Sequence, residues 1–120
     1  MNKFIRSFAI AGRGIAMAYR DQVNLKIQTG LGLGAVGLGI FFELSSLEWC
    51  SLLLSAALVL TLEIINTSLE KAVDLVTTEF HPLAGQVKDI AAGAVLLTSL
   101  ISVVVGVLVF RPHVIAWWQS

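Results

Sequence analysis

The stretch L-V-L-T-L-E-I-I-N-T-S-L-E-K-A-V-D-L, residues 58–75, decides how this chain is read. Its apolar run carries Glu63, Asn66, Glu70 and Asp74, spaced three, four and four apart. At 100° per residue they fall within a sector of about 80°, which makes one stripe along a helix. Glu63 lies inside the apolar run, where an acidic side chain costs on the order of 2.5 to 3.5 kcal/mol on insertion scales. A carboxylate at that depth is a functional hypothesis by default. Taken singly, each residue is better explained by the plain alternative: Glu63 and Asn66 bonding neighbouring helices, Glu70 and Asp74 solvated at the helix end. As a line from lipid depth to the surface, the four oxygen-bearing side chains suit a hard cation and a proton acceptor together, because Mg²⁺ takes oxygen ligands and substrate phosphate.

The remainder of the chain belongs to the same solvent. Of its 120 residues, 57% are hydrophobic and 13% charged, against roughly 45 to 50% apolar in a soluble domain. No linker or low-complexity tract divides it, so a single membrane domain is expected over 1–120. The net charge of zero gives no basis for a nucleic-acid partner. Cys50 is the only cysteine, which rules out an intrachain disulfide or a metal site of several thiolates.

Residues 3–20 put Phe4, Phe8, Ala11, Ile15 and Tyr19 on one arc of a helix and Arg6, Arg13 and Arg20 opposite, the pattern of an amphipathic helix in the headgroup plane. Arg13 breaks the apolar run before a signal-peptide core accumulates, so no cleavage is expected. Three spans follow, over about 28–44, 49–69 and 90–110, the last ended by Arg111-Pro112. The fold expected is therefore all-α: one surface helix and three transmembrane helices. Small-residue stripes, Gly30, Gly34 and Gly37 on one span and Ala92, Ser99 and Gly106 on another, fit close packing between subunits or within one.

Lys3, Arg6, Arg13, Arg20 and Lys26 precede the first span, and Lys71 and Lys88 lie in the connection after the second. The positive-inside rule puts the N-terminus and the 71–89 connection in the cytoplasm, with Arg111 the exception. Lys88 and Asp89 are expected to open the last helix, where an ammonium and free amides attract phosphate. No Walker or kinase glycine-rich loop occurs, which excludes a soluble-type nucleotide fold.

E-I-I-N-T-S-L-E-K-A-V-D at 63–74, E-F-H-P-L-A-G-Q-V-K-D-I-A-A-G-A-V-L at 79–96 and the amphipathic S-F-A-I-A-G-R-G-I at 7–15 resemble the prokaryotic diacylglycerol kinase and undecaprenol kinase family over nearly the whole chain. The resemblance implies a homotrimer of three-span subunits in the bacterial cytoplasmic membrane, with active sites shared between neighbours, using MgATP to phosphorylate a lipid hydroxyl. It implies Glu63 as general base, Asn66 as its support and Glu70 as a Mg²⁺ ligand, with Glu70, Asp74, Glu79, His81, Lys88 and Asp89 around the nucleotide. A carboxylate at lipid depth is a competent acceptor for an alcohol proton.

Gln22 stands where many relatives carry a second metal-binding Glu: either its carbonyl coordinates, or Asp21 takes over, or one metal site is weaker. Lys3 stands where some relatives place an Arg near the nucleotide. The H-P-L-A-G and K-D-I-A-A-G-A-V-L wording is closer to the undecaprenol kinase branch, which favours undecaprenol over diacylglycerol. A proton-carrying rotor-ring subunit would also combine a Gly-x-Gly-x-Gly helix with a buried Glu, and a non-catalytic membrane subunit is the plainest rival. Neither needs Asn66, Glu70, Asp74 and the Lys88-Asp89 pair.

Overall fold

The computed structural model describes residues 2–120 as four helices, α1 (Lys3–Asp21), α2 (Val23–Phe41), α3 (Ser46–Val76) and α4 (Pro82–Gln119). The all-helical expectation holds: among the described residues there is no strand. Two helices, α3 and α4, are long and apolar enough to cross a membrane. Their 31 and 38 residues correspond to about 46 and 57 Å at 1.5 Å per residue, against roughly 30 Å of hydrocarbon. The shorter α2 carries Asn24, Lys26 and Gln28 in its first two turns and is not among them.

Asn2 caps α1 by accepting from the Phe4 N–H at 2.9 Å. The start of its apolar arc is left uncovered by the other helices: Phe4 and Phe8 are exposed and stack edge to face at 5.0 Å. Its C-terminal end does pack, with Ala18 buried and the Tyr19 hydroxyl 2.6 Å from Thr29 Oγ1. One residue, Gln22, separates α1 from α2. It is extended (φ −121°, ψ 112°), closes the first helix and opens the second, so the change of direction is confined to a single peptide unit.

The far end of α2 stops at Phe41, earlier than the 28–44 span expected from hydropathy. Glu43 adopts the left-handed conformation at φ 54°. Its N–H bonds to Ile40 O at 3.3 Å, and the Leu44 N–H reaches back to Gly39 O at 3.2 Å. That is a Schellman ending, which a hydropathy count does not see. Gly39 is required there, because a Cβ would meet the Trp49 ring at 2.6 Å and Leu44 Cδ1 at 3.0 Å. Ser45 and Glu48 then form a capping box that starts α3.

The apolar run of the third span ends at Arg111-Pro112, but the helix that carries it continues: α4 runs through Pro112 to Gln119. Proline deprives one carbonyl a turn earlier of its donor, yet tertiary contacts hold the extension in place. His113 Nε2 sits 2.6 Å from Glu48 Oε2, and Trp117 lies edge-on to Phe41 at 6.4 Å. Leu44, Leu52 and Val109 form the small buried cluster at this end, backed by Phe42, Trp49 and Phe110. The Glu48 carboxyl, outside the 49–69 stretch, is held below its ordinary range chiefly by the His113 hydrogen bond.

Gly30, Gly34, Gly37 and Gly106 face open space, with nothing within 4 Å of a Cβ built on them. Their small-residue surfaces are not used for packing inside the chain. The working end lies opposite the Leu44 cluster, where the α1–α2 joint meets the middle and last turns of α3.

Candidate active site

Glu63 and Asn66 are buried on α3, at 3% and 8% exposure, although the chain as a whole buries little. The stripe read from the 3.6-residue period is therefore real on the side where α2 and the α1–α2 joint approach. Thr67, buried beside them, bonds its hydroxyl to the Glu63 carbonyl at 2.9 Å, so its polarity is spent on the helix backbone.

Two amides from outside α3 meet two of the three carboxylates of the stripe. Gln28 of α2 donates through Nε2 to Glu63 Oε1 at 3.1 Å. Gln22, at the joint, donates to Glu70 Oε2 at 3.4 Å, while Asn66 donates to Glu70 Oε1 at 3.2 Å from one turn earlier on the same helix. Each carboxylate oxygen so bonded accepts an N–H, the arrangement that holds an ionised carboxylate in a fixed rotamer. The Asn66 and Gln28 carbonyl oxygens are buried without a partner, unlike most buried polar atoms in folded proteins.

Asp21, the other candidate at this joint, is paired elsewhere. Its carboxylate is engaged by Lys71 at 2.8 Å and by Arg20 at 3.4 Å, and the Lys71 hydrogen bond keeps it below the usual carboxylate range. Gln22 is the residue that faces Glu70. Among the described residues no group of three or more His, Cys, Asp and Glu stands close enough to hold a metal. The oxygens available beside Glu70 are amide carbonyls, reached when the Gln22 or Asn66 amide turns over, since amide O and N positions interchange. One carboxylate with neutral oxygens fits Mg²⁺, which is held by one or two carboxylates plus phosphate and water.

Lys88 is not at the start of its helix. His81 caps α4 by accepting from the Leu83 N–H on Nδ1 at 3.1 Å, and Pro82 occupies the first turn. Proline at N1 sets the helix start six residues before Lys88, which therefore offers no free backbone amides. Instead its Nζ lies 2.7 Å from Asp74 Oδ1, and that bond raises the ammonium above the ordinary lysine range. Lys88 and Asp74 thus tie the last turns of α3 to α4. Glu79 and Asp89 are exposed and make no side-chain bond to the rest of the set, and the His81 ring is used as a cap.

Gln28, Asp21 and Lys71 complete the cluster without having been singled out as candidates from spacing. Gln28 lies 35 residues from Glu63 in the chain, and Asp21 lies 50 from Lys71. The only signal for Gln28 was a polar side chain at the edge of an apolar run. It also lines a cavity of about 380 Å³ between α2, α3 and α4 whose other walls include Leu31, Leu52, Val59 and Ser99.

Comparison with known proteins adds an independent line. The family model described as prokaryotic diacylglycerol kinase matches residues 9–110. An undecaprenol kinase of Bacillus subtilis (strain 168) is 39% identical over 112 residues, covering 93% of this chain and 91% of that protein. A diacylglycerol kinase of Synechocystis is 37% identical over 111 residues, covering 92% of this chain and 63% of that protein. A diacylglycerol kinase of Escherichia coli (strain K12) is 24% identical over 111 residues, covering 92% and 91% respectively.

Proposed function

The chain belongs to the prokaryotic diacylglycerol kinase family of membrane lipid kinases, and from that premise we propose that it transfers the γ-phosphate of ATP to the hydroxyl of undecaprenol. The observation that carries the mechanism is the pair of carboxylates on one face of α3: Glu63, buried and bonded from α2, and Glu70, held between two amides. Diacylglycerol is the alternative acceptor, since relatives of both names match the chain.

In this reading Glu63 is the general base. It takes the alcohol proton as the lipid oxygen bonds to the γ-phosphorus and the bond to the β–γ bridging oxygen breaks, leaving a lipid phosphate and ADP. Phosphoryl transfer asks the protein mainly for positioning and charge neutralisation. Glu70, with Gln22 and Asn66 beside it, would hold Mg²⁺, which supplies charge neutralisation on the phosphates. Asn66 supports the stripe from between the two carboxylates. Asp74, Glu79, His81, Lys88 and Asp89 would contact the nucleotide, Lys88 as a point charge.

We further propose three spans, on α2, α3 and α4, and one lipid-kinase domain over the whole chain. The apolar arc of α1 would lie on the lipid surface. Lys26, Lys71 and Lys88 would place the working end on the cytoplasmic side of the bacterial inner membrane, where ATP is. A homotrimer would bring Glu79 and Asp89 to a neighbour's site; the open faces at Gly30, Gly34 and Gly37 supply surfaces for such contact. Burial of Glu63 against α2 within one chain weighs against a rotor-ring carrier, whose carboxylate must exchange protons at an outer face.

The test is phosphorylation by the purified protein in detergent with MgATP, undecaprenol and diacylglycerol being offered in competition. Preferential labelling of undecaprenol supports the full proposal. Preference for diacylglycerol overturns the substrate, and labelling of neither overturns the kinase reading for this chain.

A further inference from the structure

We propose that Gln28 is the positioning residue of the base, keeping Glu63 hydrogen-bonded both before and after the proton is transferred. The inference rests on Glu63 being the general base. It adds a residue from another helix, whose chemistry matches the two states a base must pass through.

Three observations carry it. Gln28 and Glu63 belong to different helices, and their 3.1 Å bond is the contact by which α2 addresses the base. Glu63 is 3% exposed, so water is a poor substitute for that bond. The Gln28 carbonyl oxygen is buried and has no partner. Packing alone gives no reason for a glutamine that satisfies its nitrogen and leaves its oxygen idle, since a buried polar atom without a bond carries a free-energy cost of roughly 1 to 3 kcal/mol.

The idle oxygen has a use once Glu63 carries a proton. An ionised carboxylate only accepts hydrogen bonds, and Gln28 Nε2 supplies one. The alcohol proton arrives on Oε2; a half-turn of the Glu63 carboxyl about its own terminal torsion carries that O–H to the Gln28 side, and a half-turn of the Gln28 amide presents Oε1 to receive it. The terminal torsion of Gln is broad, and the cavity that Gln28 lines gives the turn room. The same side chain thus partners both states of Glu63 without moving either helix, leaving the other carboxylate oxygen free for the alcohol. Among the described residues that second oxygen, Oε2, makes no hydrogen bond.

The experiment compares lipid phosphorylation by wild type, Gln28→Met, Gln28→His and Glu63→Gln in detergent, with nucleotide affinity and thermal stability measured on each. Methionine keeps length and helix propensity but neither donates nor accepts usefully. Histidine donates or accepts according to its tautomer. Gln28→Met is expected to lower kcat about tenfold or more, a fraction of the 10²–10⁴ that general-base catalysis contributes, with KM for ATP unchanged within about twofold. Gln28→His is expected to recover much of the loss. A folded Gln28→Met with unchanged kcat overturns the proposal, as does a Gln28→His variant that binds nucleotide normally and is no better than Gln28→Met. If Gln28→Met fails to fold, the comparison of Gln28→His with wild type decides, activity below a tenth of wild type counting against the proposal. Full activity of Glu63→Gln would instead remove the base itself, which separates failure of the underlying mechanism from failure of this inference.

Discussion

Gln22 and Glu70 stand 48 residues apart in sequence and meet at 3.4 Å, amide nitrogen to carboxylate oxygen. The residue that forms the joint between the surface helix and α2 is therefore also a wall of the site. Movement of α1 relative to α3 changes this contact directly, because Gln22 follows immediately on the last residue of α1.

That contact sets the first prediction. Gln22→Glu would replace a donor by a second carboxylate, and two like charges at that distance repel until a cation lies between them. The variant should show a lower melting temperature than wild type in EDTA, a larger rise on adding Mg²⁺, and half-maximal activity at a lower Mg²⁺ concentration. Thermal scans and Mg²⁺ titrations of activity check it. Glu70→Gln should move the Mg²⁺ requirement in the opposite direction, upward by about tenfold or more, as expected when a charged ligand to a metal becomes neutral.

The turn after α2 makes a stability prediction. Glu43 holds a left-handed conformation at φ 54° that costs a non-glycine residue roughly 1 to 2 kcal/mol. Glu43→Gly should therefore stabilise the fold by about 0.5 to 1 kcal/mol, less than the full strain because glycine also loosens the unfolded chain. Gly39→Ala should destabilise it, since the added methyl meets the Trp49 ring at 2.6 Å. Reversible unfolding of the detergent-solubilised protein measures both.

The opposite end of the bundle should respond to acid. Glu48 is held below its ordinary value of 4.5, first by the His113 bond and then by Ser45. A depressed carboxyl contributes stability that is fully present above its unfolded pKa and is lost as pH falls through its folded one. Stability should accordingly fall as pH drops below about 4.5, and Glu48→Gln should flatten that fall. Melting temperatures from pH 7 down to pH 3 provide the comparison.

The stripe was legible in the sequence because helix periodicity fixes which residues share a face, and Glu63, Asn66 and Glu70 do share one. The contacts that complete the site were not, since Gln28–Glu63 and Gln22–Glu70 join different helices and no local spacing encodes them. The bounds of α4 also differ from a local reading of its ends. Pro112 reads locally as a stop, but Glu48 and Phe41 hold the helix beyond it. Lys88-Asp89 reads as a helix start, yet the His81 cap and Pro82 begin α4 earlier. The all-helical class and the family were readable from composition and from the 63–74 and 79–96 motifs, whereas spacing gave no information about the acceptor lipid.

The most direct measurement of the central claim follows the γ-phosphate label of ATP into lipid for wild type and Glu63→Gln under identical Mg²⁺ and lipid concentrations, alongside nucleotide affinity. The account predicts labelled lipid phosphate from wild type and a rate lower by about 10²-fold or more in the variant, with nucleotide affinity within about twofold because Glu63 acts on the alcohol and is not assigned a contact to the nucleotide. Equal rates of labelling in the two proteins would contradict it.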